Sequence, residues 1–419
     1  MKILIASARY PYQQGKADSM TVFHLIQYLA RRNHEVILAT FNNAEKFPES
    51  ERELMRTYCK EVRVIDLKKF GKLWRMSSNV LGKTPYQVAY YRRQLMHRYI
   101  GELVAEYQPD VLYAHLIRTA EYLKPFKEIP KILAMQIAQT LNYGRLIKHE
   151  KDWLRKIFYT QEYHRVAAYE PQIIRHFDRV LLISPHDEKA IVDKGQSKKI
   201  FFNPHGIDVD YFSEDLNLER QSKVLVMNGD FGVPTNMDGA LNFYQHIYPL
   251  VKKEEPDVQL WLVGRNPAPS IRALTKDPSV MVTGKVPDIR PYLQEATIGI
   301  APMRVGAGLQ NKVLVSLASQ LPVVATRIAN EGISAPEGEV ILTPGSNGEF
   351  AQTIIDLLRQ PERRAQLGRN ALEFMQKRWT WDFHFRKLEE MMEQLILDRH
   401  RPVENYYPFQ KSFVASNGR

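Results

Sequence analysis

Short apolar runs alternate with amphipathic stretches along the whole chain. Ile3–Ala6 is a run of strand length, and Tyr12-Gln13-Gln14-Gly15-Lys16 reads as the loop after it. Val22, Leu25, Ile26 and Leu29 then recur at helical spacing, which predicts a helix packed on that strand. Further strands are predicted at 36–39, 62–65, 111–113, 132–135 and 180–183, most of them separated by helical segments. The pattern restarts after Asn203-Pro204-His205-Gly206, with strands at 224–227, 258–263, 280–282, 298–301 and 322–325. Helices are expected to open near Asn236, Ile289, Leu309 and Asn347. Strands that alternate with helices imply parallel sheets with right-handed crossovers, here two of them, each binding ligands at its carboxyl edge. The expected units are 1–202, 203–378, and a terminal helix and tail at 379–419 that packs back on the first unit.

Composition narrows this picture in three ways. The longest apolar runs, such as Val180–Ile183 and Ile298–Ala301, are far too short to cross a bilayer. Arg9 and Pro11 interrupt the first run too early for a signal peptide, so it reads as a buried strand. Cys59 is the only cysteine among 419 residues, which excludes an internal disulfide and a multi-cysteine metal site. A cytoplasmic protein is the expectation. The net charge of +11 is uneven: residues 1–200 hold 34 Lys and Arg against 21 Asp and Glu, whereas 201–419 are close to balanced. Within 51–100, basic residues are interleaved with Phe70, Trp74, Tyr86, Tyr90 and Tyr91. That combination fits a solvated helix face, nucleic acid, an anionic membrane surface or an anionic substrate. No nucleic-acid module is recognisable, so a membrane surface or a lipid-linked acceptor is the favoured partner, docked at the inner face of the membrane.

The segment Pro302–Thr326 carries the densest chemistry. Its strand ends at Pro302, Arg304, Gly306 and Gly308 follow in a loop, and a helix opens near Leu309 with Lys312 in its first turns. Two cations, glycines that let backbone amides approach an anion, and a helix N-terminus make a diphosphate cradle. The same glycines would equally serve an ordinary strand–turn–helix. His115, directly after the run Val111–Tyr113, is either a structural residue or a site residue.

This segment resembles the donor-site signature of the large GT-B glycosyltransferase family that includes sucrose synthases and mannosyltransferases. It is most similar to bacterial sugar transferases of exopolysaccharide systems. Other stretches agree in order: Val226-Met227-Asn228-Gly229 with Pro234-Thr235-Asn236, Leu262-Val263-Gly264-Arg265, Gly284-Lys285-Val286, Tyr169-Glu170, and Gly206-Ile207-Asp208. The resemblance implies an α/β fold of two Rossmann-like domains facing a cleft. It also implies transfer of a hexose from a nucleoside diphosphate sugar, with retention, to a glycan or lipid-linked acceptor. Arg304 and Lys312 would hold the pyrophosphate, and His115 would reach the transferred sugar. Gly15 and Lys16 would approach the phosphates from the first domain. Gly229, Arg265, Gly306, Ala307, Gly308 and Leu309 would line the donor. Val286 would either sit against the nucleotide base or pack in the core.

The chain departs from the family pattern at Ala307 and Val315, where many members carry glutamates for the sugar and the ribose. This leaves a second reading open, a degenerate transferase that binds a glycan or a partner without turnover. No Asp-x-Asp stands at a strand end, and neither a Walker motif nor a G-x-S-x-G elbow is present. No metal and no cofactor besides the donor are therefore expected.

Overall fold

The computed structural model describes residues 1–12, 17–42, 49–67, 82–150, 152–183, 185–191, 197–304 and 309–400. Among these, the strands form two all-parallel sheets. The first contains β1 (Lys2–Ser7), β2 (Glu35–Asn42), β3 (Glu61–Asp66), β4 (Val111–His115), β5 (Lys131–Gln136), β6 (Arg179–Leu182) and β7 (Ile200–Phe202), in the order β3-β2-β1-β4-β5-β6-β7. The second contains β8 (Val224–Asn228), β9 (Gln259–Val263), β10 (Val280–Gly284), β11 (Ile298–Ala301), β12 (Val323–Ala325) and β13 (Ile341–Leu342), in the order β10-β9-β8-β11-β12-β13. The expected architecture of two Rossmann-like sheets is thus present. The two edge strands β7 and β13 escape the sequence pattern because three and two residues are too few to establish a period.

Alternation along each strand sends side chains to opposite faces, and both faces of both sheets are covered. Leu4 and Ala6 point to one core of the first sheet, Ile3 and Ile5 to the other. Leu225 and Met227 enter the large core of the second sheet, and Val224 and Val226 the smaller one. Six helices matter below: α1 (Ala17–Arg31), α2 (Gln139–His149), α3 (Trp153–Ile174), α4 (Pro234–Asn242), α5 (Asn311–Ala318) and α6 (Trp381–His400).

Helix α6 returns to the first sheet. Its Phe385, Leu388, Met391, Met392 and Leu395 share a core with Val22, Leu25, Ile26 and Leu29 of α1. The return is set where the chain passes between the sheets. Ile207 N–H donates to Trp379 O at 2.8 Å. A Cβ on Gly206 would lie 2.4 Å from the Trp381 nitrogen, so only glycine fits there. The Trp381 ring stacks on His24 of α1 with centroids 4.7 Å apart.

Buried Glu389 locks the helix in place. Its carboxylate accepts from Tyr28 Oη at 2.7 Å, lies 2.6 Å from His34 Nε2, and takes Arg32 Nε at 3.3 Å. Glu389→Ala leaves the Tyr28 hydroxyl and the Nε2 of His34 unpaired, while His34 Nδ1 keeps the N-terminal amine at 3.1 Å. We expect a loss of about 1–3 kcal/mol from each stranded group, read as a lower thermal midpoint by calorimetry. Glu389→Gln, which keeps an acceptor, should recover part of it.

Candidate donor site

In each sheet the strand order reverses beside its first strand, between β1 and β4 and between β8 and β11, the place where sheets of this kind form a ligand crevice at the carboxyl ends. In the second sheet the crevice floor is backbone. Gly229 follows β8 with φ 155°, and Gly264 follows β9 with φ 151°. A Cβ on Gly264 would lie 1.7 Å from Gly229 O, so two glycines let these strand ends meet. Asn236, on α4, braces the loop by donating from Nδ2 to Asp230 O at 2.9 Å.

Lys312 lies over this floor. Its Cε is 3.6 Å from the position a Gly229 Cβ would occupy, and its Nζ is 3.6 Å from Met303 Sδ and 2.8 Å from Gln310 Oε1. Among the described residues no carboxylate pairs with this ammonium. Residues 305–308, outside that set, contain no acid in sequence. Burial lowers the Lys312 ammonium from its usual range to about 8. A desolvated cation in the first turn of α5, held by one neutral amide, is an arrangement that an anion would complete.

The two arginines expected here are already occupied. Arg304 spans to Asp238 of α4, with Nε donating to Oδ2 at 3.0 Å and Nη2 to Oδ1. Arg265 Nε donates to Asp230 Oδ2 at 2.8 Å, and Asp230 also takes Gly232 N and Asn266 Nδ2. Arg304 and Lys312 therefore do not form a matched free pair. The acids stand 66 and 35 residues from their arginines, a distance no local pattern bridges. Leu309 packs on the large core of the second sheet. Val286 and Val315 both pack on the smaller one. Gly15, Lys16, Gly306, Ala307 and Gly308 lie outside the described residues.

Across the chain, His115 ends β4 with its backbone opposite Ser7 of β1. It is 1% exposed, and neither ring nitrogen has a hydrogen-bond partner among the described residues. Burial pushes its pKa down to about 4, against the pull of Asp18, so the imidazole is neutral near pH 7. Asp18 itself is held by Arg9, whose Nη1 donates to both carboxylate oxygens at 2.8 and 2.7 Å.

Residues 19–211 match the model described as Glycosyltransferase Family 4, and residues 222–360 the model described as Glycosyl transferases group 1. The chain belongs to the GT-B glycosyltransferases. A Klebsiella pneumoniae protein, named only as an uncharacterized 44.6 kDa protein in the cps region, is 23% identical over 393 residues, 90% of this transferase and 96% of the relative. Anabaena HepE, solved with UDP, has a TM-score of 0.63 at 13% identity, covering 94% of this chain and 100% of its own. A TarM structure gives 0.66 at 10% identity, covering 94% and 98%. WaaG, described as involved in lipopolysaccharide biosynthesis, gives 0.57 at 14%, covering 94% and 99%.

Lys312 yields a stability test. Its folded pKa lies below the ordinary lysine value, so at pH 7 the charged form weakens the fold. That penalty is complete below about pH 8 and is relieved as pH rises toward the unfolded value. Lys312→Met should therefore raise the thermal midpoint at pH 7, with the gain shrinking above pH 8. A midpoint lowered at pH 7 would mean that the ammonium is satisfied.

Proposed function

We propose that this transferase moves a hexose from a nucleoside diphosphate sugar to a glycan or lipid-linked acceptor, with retention and without a metal. The reading rests on one observation above all, a half-buried lysine with no carboxylate partner among the described residues, at the crevice where the second sheet reverses order. HepE, whose fold this chain shares, was solved with UDP and with UDP-glucose, which supports a uridine nucleotide as the first donor to try.

Residues 203–378 would hold the donor and 1–202 the acceptor, with the returning helix tying the two together. The diphosphate would lie over Gly229 and the start of α5, beside Gly306, Ala307 and Gly308. Lys312 would neutralise the charge that develops as the sugar–oxygen bond breaks, the kind of preorganised electrostatic term that dominates many enzymes. Arg304 would join by sharing itself between Asp238 and phosphate, and Gly15 and Lys16 would close over the phosphates from the other domain. Arg265 would border the donor from its ion pair with Asp230. His115, neutral and with unbonded nitrogens, would bond a hydroxyl of the transferred sugar once its ring is uncovered. The second reading, binding without turnover, is favoured by Val315, whose side chain cannot accept from a ribose.

Titration calorimetry with UDP tests the donor site. Lys312→Ala should weaken binding by about ten-fold or more, as loss of a charge-assisted bond to phosphate would, and Arg304→Ala by less, since Asp238 already engages it. UDP affinity should also fall as pH rises above about 8, with proton uptake on binding, because bound phosphate favours the charged lysine. Unchanged affinity in the lysine variant removes the assignment. Hydrolysis and transfer assays with UDP-sugars separate enzyme from binder, and the anomeric configuration of the product, read by NMR, tests retention. Turnover should persist in EDTA, since Lys312 supplies charge a metal would otherwise bring.

A further inference from the structure

The basic stretch 51–100 does not present its described aromatics to solvent. Tyr91 is buried, Tyr90 packs on a core of the first sheet, and Tyr86 stacks on Phe158 of α3 at 5.4 Å. Lys68, Lys69, Phe70 and Trp74 lie outside the described residues. Exposed aromatic and aliphatic surface gathers instead at the start of α3, where Trp153 is 69%, Leu154 59% and Ile157 60% exposed.

The helical pair α2–α3 explains why those residues face outward. The inward side of α3 is fully engaged: Phe158 with Tyr86, Glu162 accepting from Tyr86 N at 3.0 Å, Arg165 over the Tyr86 ring, and Val166 in the interior. Trp153, Ile157, Thr160, Gln161 and His164 follow at helical spacing on the opposite side and line a shallow groove with Lys156. The base of the pair is rigid, because buried Glu170 of α3 accepts from Gln139 N at 2.6 Å and from Thr140 Oγ1 at 2.5 Å, capping α2. Helix α2 starts two residues beyond the carboxyl end of β5, and its 11 residues rise roughly 16 Å. Helix α3, with 22 residues, is roughly 33 Å long and runs back to the amino end of β6, well beyond the length of the strands. The tip therefore overhangs the carboxyl edge that also carries His115.

Charge at the tip matches one kind of partner. Arg145, Lys148, Arg155 and Lys156 are exposed around the apolar residues. The nearby acids serve the backbone: Asp152 Oδ1 accepts from Arg155 N at 2.9 Å and Glu150 Oε1 from Asp152 N at 3.0 Å. Trp, Leu and Ile ringed by cations is the chemistry of an interfacial anchor at an anionic lipid surface. No helix among the described residues is long and apolar enough to cross a membrane, so attachment would be peripheral.

We propose that the tip of the α2–α3 hairpin docks this protein on an anionic membrane surface, inserting Trp153, Leu154 and Ile157 and pairing Arg145, Lys148, Arg155 and Lys156 with lipid headgroups. The inference deepens the reading of a lipid-linked acceptor: docking by the overhanging tip would bring the first sheet's crevice to the bilayer.

Sedimentation of the full chain with vesicles tests it, using phosphatidylcholine alone and an equimolar mixture with phosphatidylglycerol, at low and high salt. Wild type should bind the mixed vesicles, less so at high salt, and the fluorescence component lost in Trp153→Ser should shift to the blue on binding. Trp153→Ser/Leu154→Ser/Ile157→Ser should lower partitioning by about ten-fold or more. Arg155→Glu/Lys156→Glu should abolish the preference for the anionic lipid. UDP affinity, measured on the same variants, should stay at the wild-type value. That arm keeps the two readings separate, since absent UDP binding in wild type defeats the donor site and says nothing of the tip. Sedimentation equal to wild type in both variants overturns the proposal. So does wild-type self-association by light scattering that the triple variant abolishes, which would make the tip an interface between copies.

Discussion

The candidate donor site depends on two backbones meeting where side chains would keep them apart. Gly229 and Gly264 end neighbouring parallel strands, and any Cβ on Gly264 would overlap the Gly229 carbonyl. The Lys312 side chain lies over this contact, its Cε 3.6 Å from where a Gly229 Cβ would be. Shielding the ammonium from water costs free energy, and the neutral Gln310 amide offsets little of it. A fold that keeps such a group at its strand-order reversal carries a preference for a negative ligand before one arrives.

The arginines nearby follow the opposite logic. Arg304 and Arg265 each sit on an aspartate, exposed enough that the pairing adds little stability. For Arg304 the pairing fixes direction, because a guanidinium forked on a carboxylate has few rotamers left. Lys312 thus has no carboxylate partner among the described residues, whereas each arginine is paired with one.

The two sheets are joined by more than the segment between β7 and β8. The chain crosses back through Trp379 and Trp381, and α6 completes the core against α1, so the first unit needs the last described helix to bury Ile3, Ile5 and Val22. Gly206 is the tight point of that crossing, where the outgoing and returning backbones touch.

Much of this was legible in the sequence. Apolar runs of strand length, the helical spacing of Val22, Leu25, Ile26 and Leu29, and the restart after Gly206 were enough to announce two parallel sheets, because burial on both faces demands continuous hydrophobic strands. The cations after β11 were legible as candidates, since local chemistry at a strand end is written in consecutive residues. The partners of those cations were not legible. Asp238 and Asp230 reach Arg304 and Arg265 only because α4 and the loop after β8 fold over the same edge, while Lys312 is left with Gln310. Nor could periodicity tell that Tyr90 and Tyr91 turn inward while Trp153, Leu154 and Ile157 turn outward. Which side of an amphipathic segment meets a neighbour is decided by packing between elements distant in sequence, and only the tertiary structure carries it.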